Sequence, residues 1–94
     1  MFGVVFDVRV KPGCEDEARA MLEAVIVPRA TSHPGFLSGQ WLRALEGDAL
    51  RVVHLFDTEE HARATATKIA SEGPPPGAPV TLRGVETFEL IAQA

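Results

Sequence analysis

Residues 34–60 read PGFLSGQWLRALEGDALRVVHLFDTEE. Two apolar runs, Phe36–Leu45 and Ala49–Phe56, flank Glu46-Gly47-Asp48, a tight-turn signal, so the stretch reads as a β-hairpin. Pro34-Gly35 punctuates its start. Its end reads as a helix start: Asp57 or Thr58 caps, and an acid three positions after Asp57 completes a capping box. With Gly47-Asp48 as the loop residues, the register sets Trp41 opposite His54 and Arg43 opposite Val52. One face then carries Leu37, Trp41, Leu45, Leu50, Val52 and Phe56, together with Arg43 and His54. The other carries Phe36, Leu42, Ala44, Ala49, Val53 and Leu55, together with Gln40 and Arg51. Both faces are largely apolar, which requires a cover on each.

Upstream, Phe2, Val4, Phe6, Val8 and Val10 alternate with smaller or polar residues, the period of a half-buried strand over Phe2–Val10. Lys11-Pro12-Gly13 is a turn. Cys14 to about Ala30 reads as a helix with Glu15, Asp16 and Glu17 at its positive end. Its apolar stripe is Ala18, Met21, Leu22, Val25 and Ile26, and Pro28 kinks or ends it near Ile26. Downstream, the second helix runs to about Ala70. Ser71–Pro79 holds four of the seven prolines and two of the eight glycines. It reads as a surface connection of higher mobility than its flanks, lying over a pocket mouth. A last strand spans Val80 to about Ile91, with Val80, Leu82, Phe88 and Leu90 on one face, and Ala92–Ala94 fray.

The order β-α-β-β-α-β with right-handed crossovers gives a ferredoxin-like α+β sandwich, sheet order 4-1-3-2, with both helices on one face. A single domain over residues 1–94 is expected. The second sheet face is bare and apolar, which points to a homodimer through the sheet.

Of the 94 residues, 46% are apolar and 23% charged, with a net charge of −4. That composition excludes a disordered chain. The absence of a basic patch argues against nucleic acid and against an anionic membrane surface. No apolar run approaches a membrane span, and the N-terminus reads as a strand and not a secretion signal. The single Cys14 excludes an internal disulfide and a thiolate zinc site, and fits a reducing cytoplasm.

The strand entering VKPGCEDEARAML, followed by SHPGFLSGQWLRALEGDALRVVHLFDTEEHARA, resembles the antibiotic-biosynthesis-monooxygenase-like family of dimeric α+β barrels. The shared punctuation is Pro34-Gly35-Phe36 at the start of the second strand and Phe56-Asp57-Thr58-Glu59-Glu60 at the end of the third. Phe56 stands where the family most often has Trp. The resemblance implies two sheets packed across a two-fold axis. It also implies either oxidation of aromatic polyketides without metal or flavin, or haem degradation. The polyketide oxygenases rely on Asn, Trp, Tyr and Arg, and the haem degraders on Asn, Trp and His. This chain has no Asn and no Tyr, so neither set carries over. The segment from Glu59 to Pro76 has no Trp, and its single His is His61.

The candidate site is therefore built from what the chain does have. Trp41 is an aromatic plate for a planar ligand, and His54 beside it titrates near neutrality and can handle a phenol or carbonyl proton. The same pair also reads as a cross-strand contact in a core or interface. Arg43, on the same face, offers a fork for an anion or reaches the rim. Asp7, in the first strand at a position often polar in the family, joins the substrate-binding set with Trp41, Arg43 and Phe56, or pairs with an arginine. His33 reads as an exposed loop residue and His61 as a surface residue of the second helix, and no metal-ligand spacing links the three histidines. The expectation is a cofactor-free, monooxygenase-like enzyme with His54 as catalytic residue, acting on an aromatic or quinone-like molecule. The alternatives are a non-catalytic ligand-binding or regulatory dimer and a plain dimerisation unit.

Overall fold

The computed structural model describes residues 1–94. Its elements are β1 (Phe2–Val10), α1 (Glu15–Met21), a π-helical turn (Leu22–Ile26), α2 (Val27–Thr31), β2 (Phe36–Arg43), β3 (Ala49–Phe56), α3 (Glu59–Glu72) and β4 (Val80–Glu89). The four strands form one antiparallel sheet, β2-β3-β1-β4. This is the ferredoxin-like order expected, 4-1-3-2 read from the other edge. α2 packs on β2, and α3 packs on β1, β3 and β4, all on one face, while α1 and the π turn stand off the sheet.

The first helix bends as Pro28 requires, but by widening. Proline has no N–H to close an α-turn on Ala24, and its ring crowds that carbonyl. The chain takes one π turn instead, with the Val27 N–H donating to the Leu22 carbonyl, before α2 resumes. α3 begins at Thr58, whose hydroxyl accepts from the His61 N–H at 3.1 Å.

The hairpin register differs from the one read from the sequence. Trp41 lies opposite Val52, Arg43 opposite Leu50, and Gly39 opposite His54. The reason is loop length. The Ala44 N–H donates to the Ala49 carbonyl at 2.9 Å, so the loop is the four residues Leu45–Asp48, with Gly47 at φ +86°. Leu45 is thereby carried out of the sheet and fully exposed. The slip is by an even number of positions, so Trp41, Arg43, Val52 and His54 keep their common face.

Two bulges do change faces. One lies between Phe36 and Ser38. It leaves Leu37 half exposed and turns Phe36 inward, its ring 6.0 Å from that of Phe56. The other lies on β4, between the Asp7 and Val8 pairings. Arg83 is the extra residue, so Val80 and Leu82 share the helix side with Val85, whereas Phe88 falls on the open side. The core is Val4, Phe6, Val8, Val52, Phe56 and Ala62.

Candidate functional site

Where α1 and the π turn leave the sheet, a cavity of about 270 Å³ opens. Phe6, Val8, Trp41, Val52 and His54 form its sheet wall, and Leu22 and Ile26 face them from the helix. Gly73, Pro74 and Pro75 close one end. That connection is tied down: the Lys11 N–H donates to the Pro79 carbonyl at 2.9 Å, and Ala78 is buried. The prolines make a stiff wall because their φ angles are fixed.

His54 is 4% exposed and boxed by aromatic rings. Its ring centroid is 5.1 Å from Phe6, 5.3 Å from Phe36 and 5.1 Å from Trp41, all edge-on, and 6.4 Å from Phe56. The box needs Gly39. A methyl group there would stand 3.0 Å from His54 Cδ2 and 3.1 Å from both Phe36 and Trp41. Neither His54 nitrogen has a hydrogen-bond partner in the chain. A buried polar group left so costs about 1–3 kcal/mol, and here the orphan borders a cavity. Burial, helped by the charge of His33, lowers its pKa to about 4. At neutral pH the ring is therefore uncharged, with one N–H and one lone pair to offer. It is a weak base. A phenol near pKa 10 is about 6 units away, or about 8 kcal/mol of uphill proton transfer.

The structure brings Trp41, Arg43 and His54 into one cavity wall. The Trp41 and His54 rings meet on the diagonal of the ladder rather than directly opposite. Arg43 is four residues from Gly39, the partner of His54, or about 13 Å along the strand. His54 thus occupies one end of the cavity and Arg43 the other. Asp7 is placed on the open face, its Oδ1 2.7 Å from Arg51 and 3.6 Å from Arg9. Phe56 is wholly buried in the core below the box. His61 stands outside the cavity, its Nδ1 2.6 Å from Asp57 Oδ1. That hydrogen bond is the main reason the Asp57 carboxyl titrates below its ordinary range.

Six further charged or titratable residues line the cavity: Glu15, Asp16, Arg19, Arg29, His33 and Glu72. The arginines had a signal in the sequence. Arg19, Leu22, Ile26 and Arg29 follow one another at helical spacing, on the stripe that carries the apolar face. His33 had none, since a loop histidine before Pro-Gly reads as exposed. Here it is half buried, and its pKa is lowered by burial first, then by the charges of Lys68 and Arg29, against an opposing Glu72.

The fold is ferredoxin-like α+β, with a largely apolar cavity between sheet and helices bordered by one orphaned imidazole, the usual form of a small-molecule site. The chain belongs to the antibiotic biosynthesis monooxygenase family, whose model matches residues 1–67. Solved structures show the same fold. The haem degrader MhuD of Mycobacterium tuberculosis, with two haems in its active site, has TM-score 0.70 and 24% identity over 100% of this chain and 99% of that one. A putative antibiotic biosynthesis monooxygenase of Chloroflexus aurantiacus has TM-score 0.64 and 22% identity, covering 99% and 95%. The monooxygenase ActVA-Orf6 of Streptomyces coelicolor, in complex with nanaomycin D, has TM-score 0.62 and 16% identity, covering 99% and 89%. No curated protein matches the sequence.

Proposed function

We propose that this protein is a cofactor-independent, monooxygenase-like enzyme that takes a hydroxyaromatic or quinone-like molecule into the cavity beside His54. The observation that carries this reading is the orphaned imidazole. A buried His with both nitrogens unpartnered, walled by Trp41 and three phenylalanines, is satisfied by a planar ligand bearing a hydroxyl or carbonyl oxygen. The similar solved structures support it in kind: one is a monooxygenase with nanaomycin D bound, another a haem degrader. For haem the chain offers less. The cavity as closed by α1 and the 73–75 wall is small for a tetrapyrrole. His61, the one histidine in the segment that carries the haem degraders' Trp and His, points away from it.

Trp41 presents the face against which the ligand lies, and His54 holds its oxygen. Arg43 meets a polar substituent at the far end. Asp7 serves the open face through its arginines. That face packs against a second copy, giving the homodimer.

Binding and turnover separate the readings. Titration of Trp41 fluorescence with a hydroxynaphthoquinone is expected to show saturable quenching. His54→Ala should keep the fold, by circular dichroism, and weaken binding at least tenfold. Oxygen uptake with model hydroquinones under air is expected to exceed autoxidation. Binding without uptake favours the second reading, a non-catalytic ligand-binding module, which the absent Asn and Tyr recommend. Binding unchanged in His54→Ala overturns both.

A further inference from the structure

His54 lines the cavity, yet neither of its nitrogens is open to it: both are sealed from solvent as well as unpartnered. A ligand lying in the cavity as it stands cannot reach the atoms that would hold its oxygen. One ring of the aromatic box must move first.

The four rings are not equally free. Phe36 and Phe56 do not line the cavity, so moving either opens no path from it. Phe6 and Trp41 do line it. Phe6 is 4% exposed and belongs to the core, on β1 in the middle of the sheet. Trp41 is only partly buried and stands on β2, an edge strand. Two residues before it on the same face is Gly39, opposite His54, with no side chain to wedge the indole. The cavity on its other side leaves the ring room to turn.

We propose that Trp41 is the gate to His54: its indole turns aside to uncover an imidazole nitrogen to the cavity. The closed state is held by the edge-on contact of the two rings, whose planes stand at 67°. Turned aside, the indole offers its face to an incoming ring. A planar ligand replaces the lost contact and supplies the missing hydrogen bond, so it shifts the balance toward the open state. The proposal rests on the reading that His54 holds the ligand oxygen, and it adds how the ligand gains access and a gating role for Trp41.

The test is the access of diethyl pyrocarbonate, which acylates unprotonated imidazole, to His54 of the whole protein at pH 7. His54 is uncharged there, so its rate reports access and not protonation. Tandem mass spectrometry separates the label on His54 from that on His61, a half-exposed reference. A minor open state of about 10% or less makes His54 about tenfold or more slower than His61. Trp41→Ala should remove that factor, and Trp41→Leu part of it should the alanine variant not fold. Phe36→Leu should leave it. Urea below the unfolding transition should leave the parent rate unchanged, because turning one ring exposes little surface and unfolding exposes much. Circular dichroism verifies each fold. A parent His54 as reactive as His61, no gain in the Trp41 variants, an equal gain in Phe36→Leu, or a parent rate that climbs with urea as unfolding does would each overturn the gate and leave the ligand reading standing. Saturating 2-hydroxy-1,4-naphthoquinone should protect His54 in the parent. A quinone that binds without protecting it overturns the ligand reading, and the labelling of the free protein still decides the gate.

Discussion

His54 ties the stability of the fold to pH with a definite sign. Its pKa in the folded chain is about 4, against an ordinary value of 6.5. The unfolded chain therefore takes up a proton that the native state refuses over the window between those values. The stability this residue contributes is complete above pH 6.5 and falls as pH drops toward 4. Between pH 7 and pH 5 the loss is about 2 kcal/mol. His33, also shifted down, adds to it with the same sign. Urea unfolding at pH 7 and pH 5 is expected to show this decline, and His54→Leu should remove most of it. A His54→Leu variant as pH-sensitive as the parent would contradict the account. That Trp41, Arg43 and His54 share a wall was legible from period-2 alternation alone. The rest of the site was not. Asp7 sits among valines in a strand, and alternation does not tell which face looks toward helices and which toward a partner. Phe56 shares the face of the site residues yet sinks wholly into the core. His33 reaches the cavity from the loop after α2, whose course no periodicity specifies.

At the scale of elements, the strand order and both helices were readable because hydrophobic period, caps and turn residues all agreed. The errors lie where one residue was inserted or one loop lengthened. Alternation is periodic and local, so a bulge leaves no mark in it. Leu37 and Phe36 are both apolar, and nothing in their types shows which one the bulge turns inward. The glycines around β2 show what these irregularities demand. Gly35, at φ +77°, carries the turn into the bulge, and a Cβ there would run into the Asp57–His61 pair. Gly39 has ordinary φ, and its Cβ would press on the aromatic box. Gly39→Ala is expected to cost about 1–3 kcal/mol, as overpacking does. Gly35→Ala should cost more, because left-handed backbone strain adds to the clash. Thermal melts rank the two, and the reverse order would show that the β2 entry yields more readily than the box.

The whole molecule has one face still to cover. On the side away from the helices, the ladder sets Val5 opposite Val53, Leu55 opposite Gly3, and Leu42 opposite Arg51, with Phe88 at the β4 side. Leu42 is 55% and Phe88 48% exposed. Most of the charges among them are matched: Asp7 lies between Arg51 and Arg9, and Arg9 also reaches Asp48 at 3.4 Å, while Glu86, opposite Val5, is exposed and forms no ion pair in the chain. Two carboxylates and two guanidiniums form a neutral group, which resists burial far less than an unpaired ion. An apolar sheet face with a largely paired polar border fits a second copy of itself about a two-fold axis. An interface of standard size, about 1,600 Å² in total and somewhat over half apolar, yields on the order of 20 kcal/mol from burial. Association costs roughly 4–15 kcal/mol of that. The surplus rivals the 5–10 kcal/mol that a domain of this length holds by itself. Sedimentation at micromolar concentration is therefore expected to give about twice the 10.1 kDa chain mass. Phe88→Asp combined with Leu42→Asp should halve it, since each dimer would then bury four unpaired carboxylates. The double variant should also unfold at lower urea than the parent, because the interface term is lost. A folded parent species that stays at the mass of one chain would overturn the dimer, and the open face would then need another occupant.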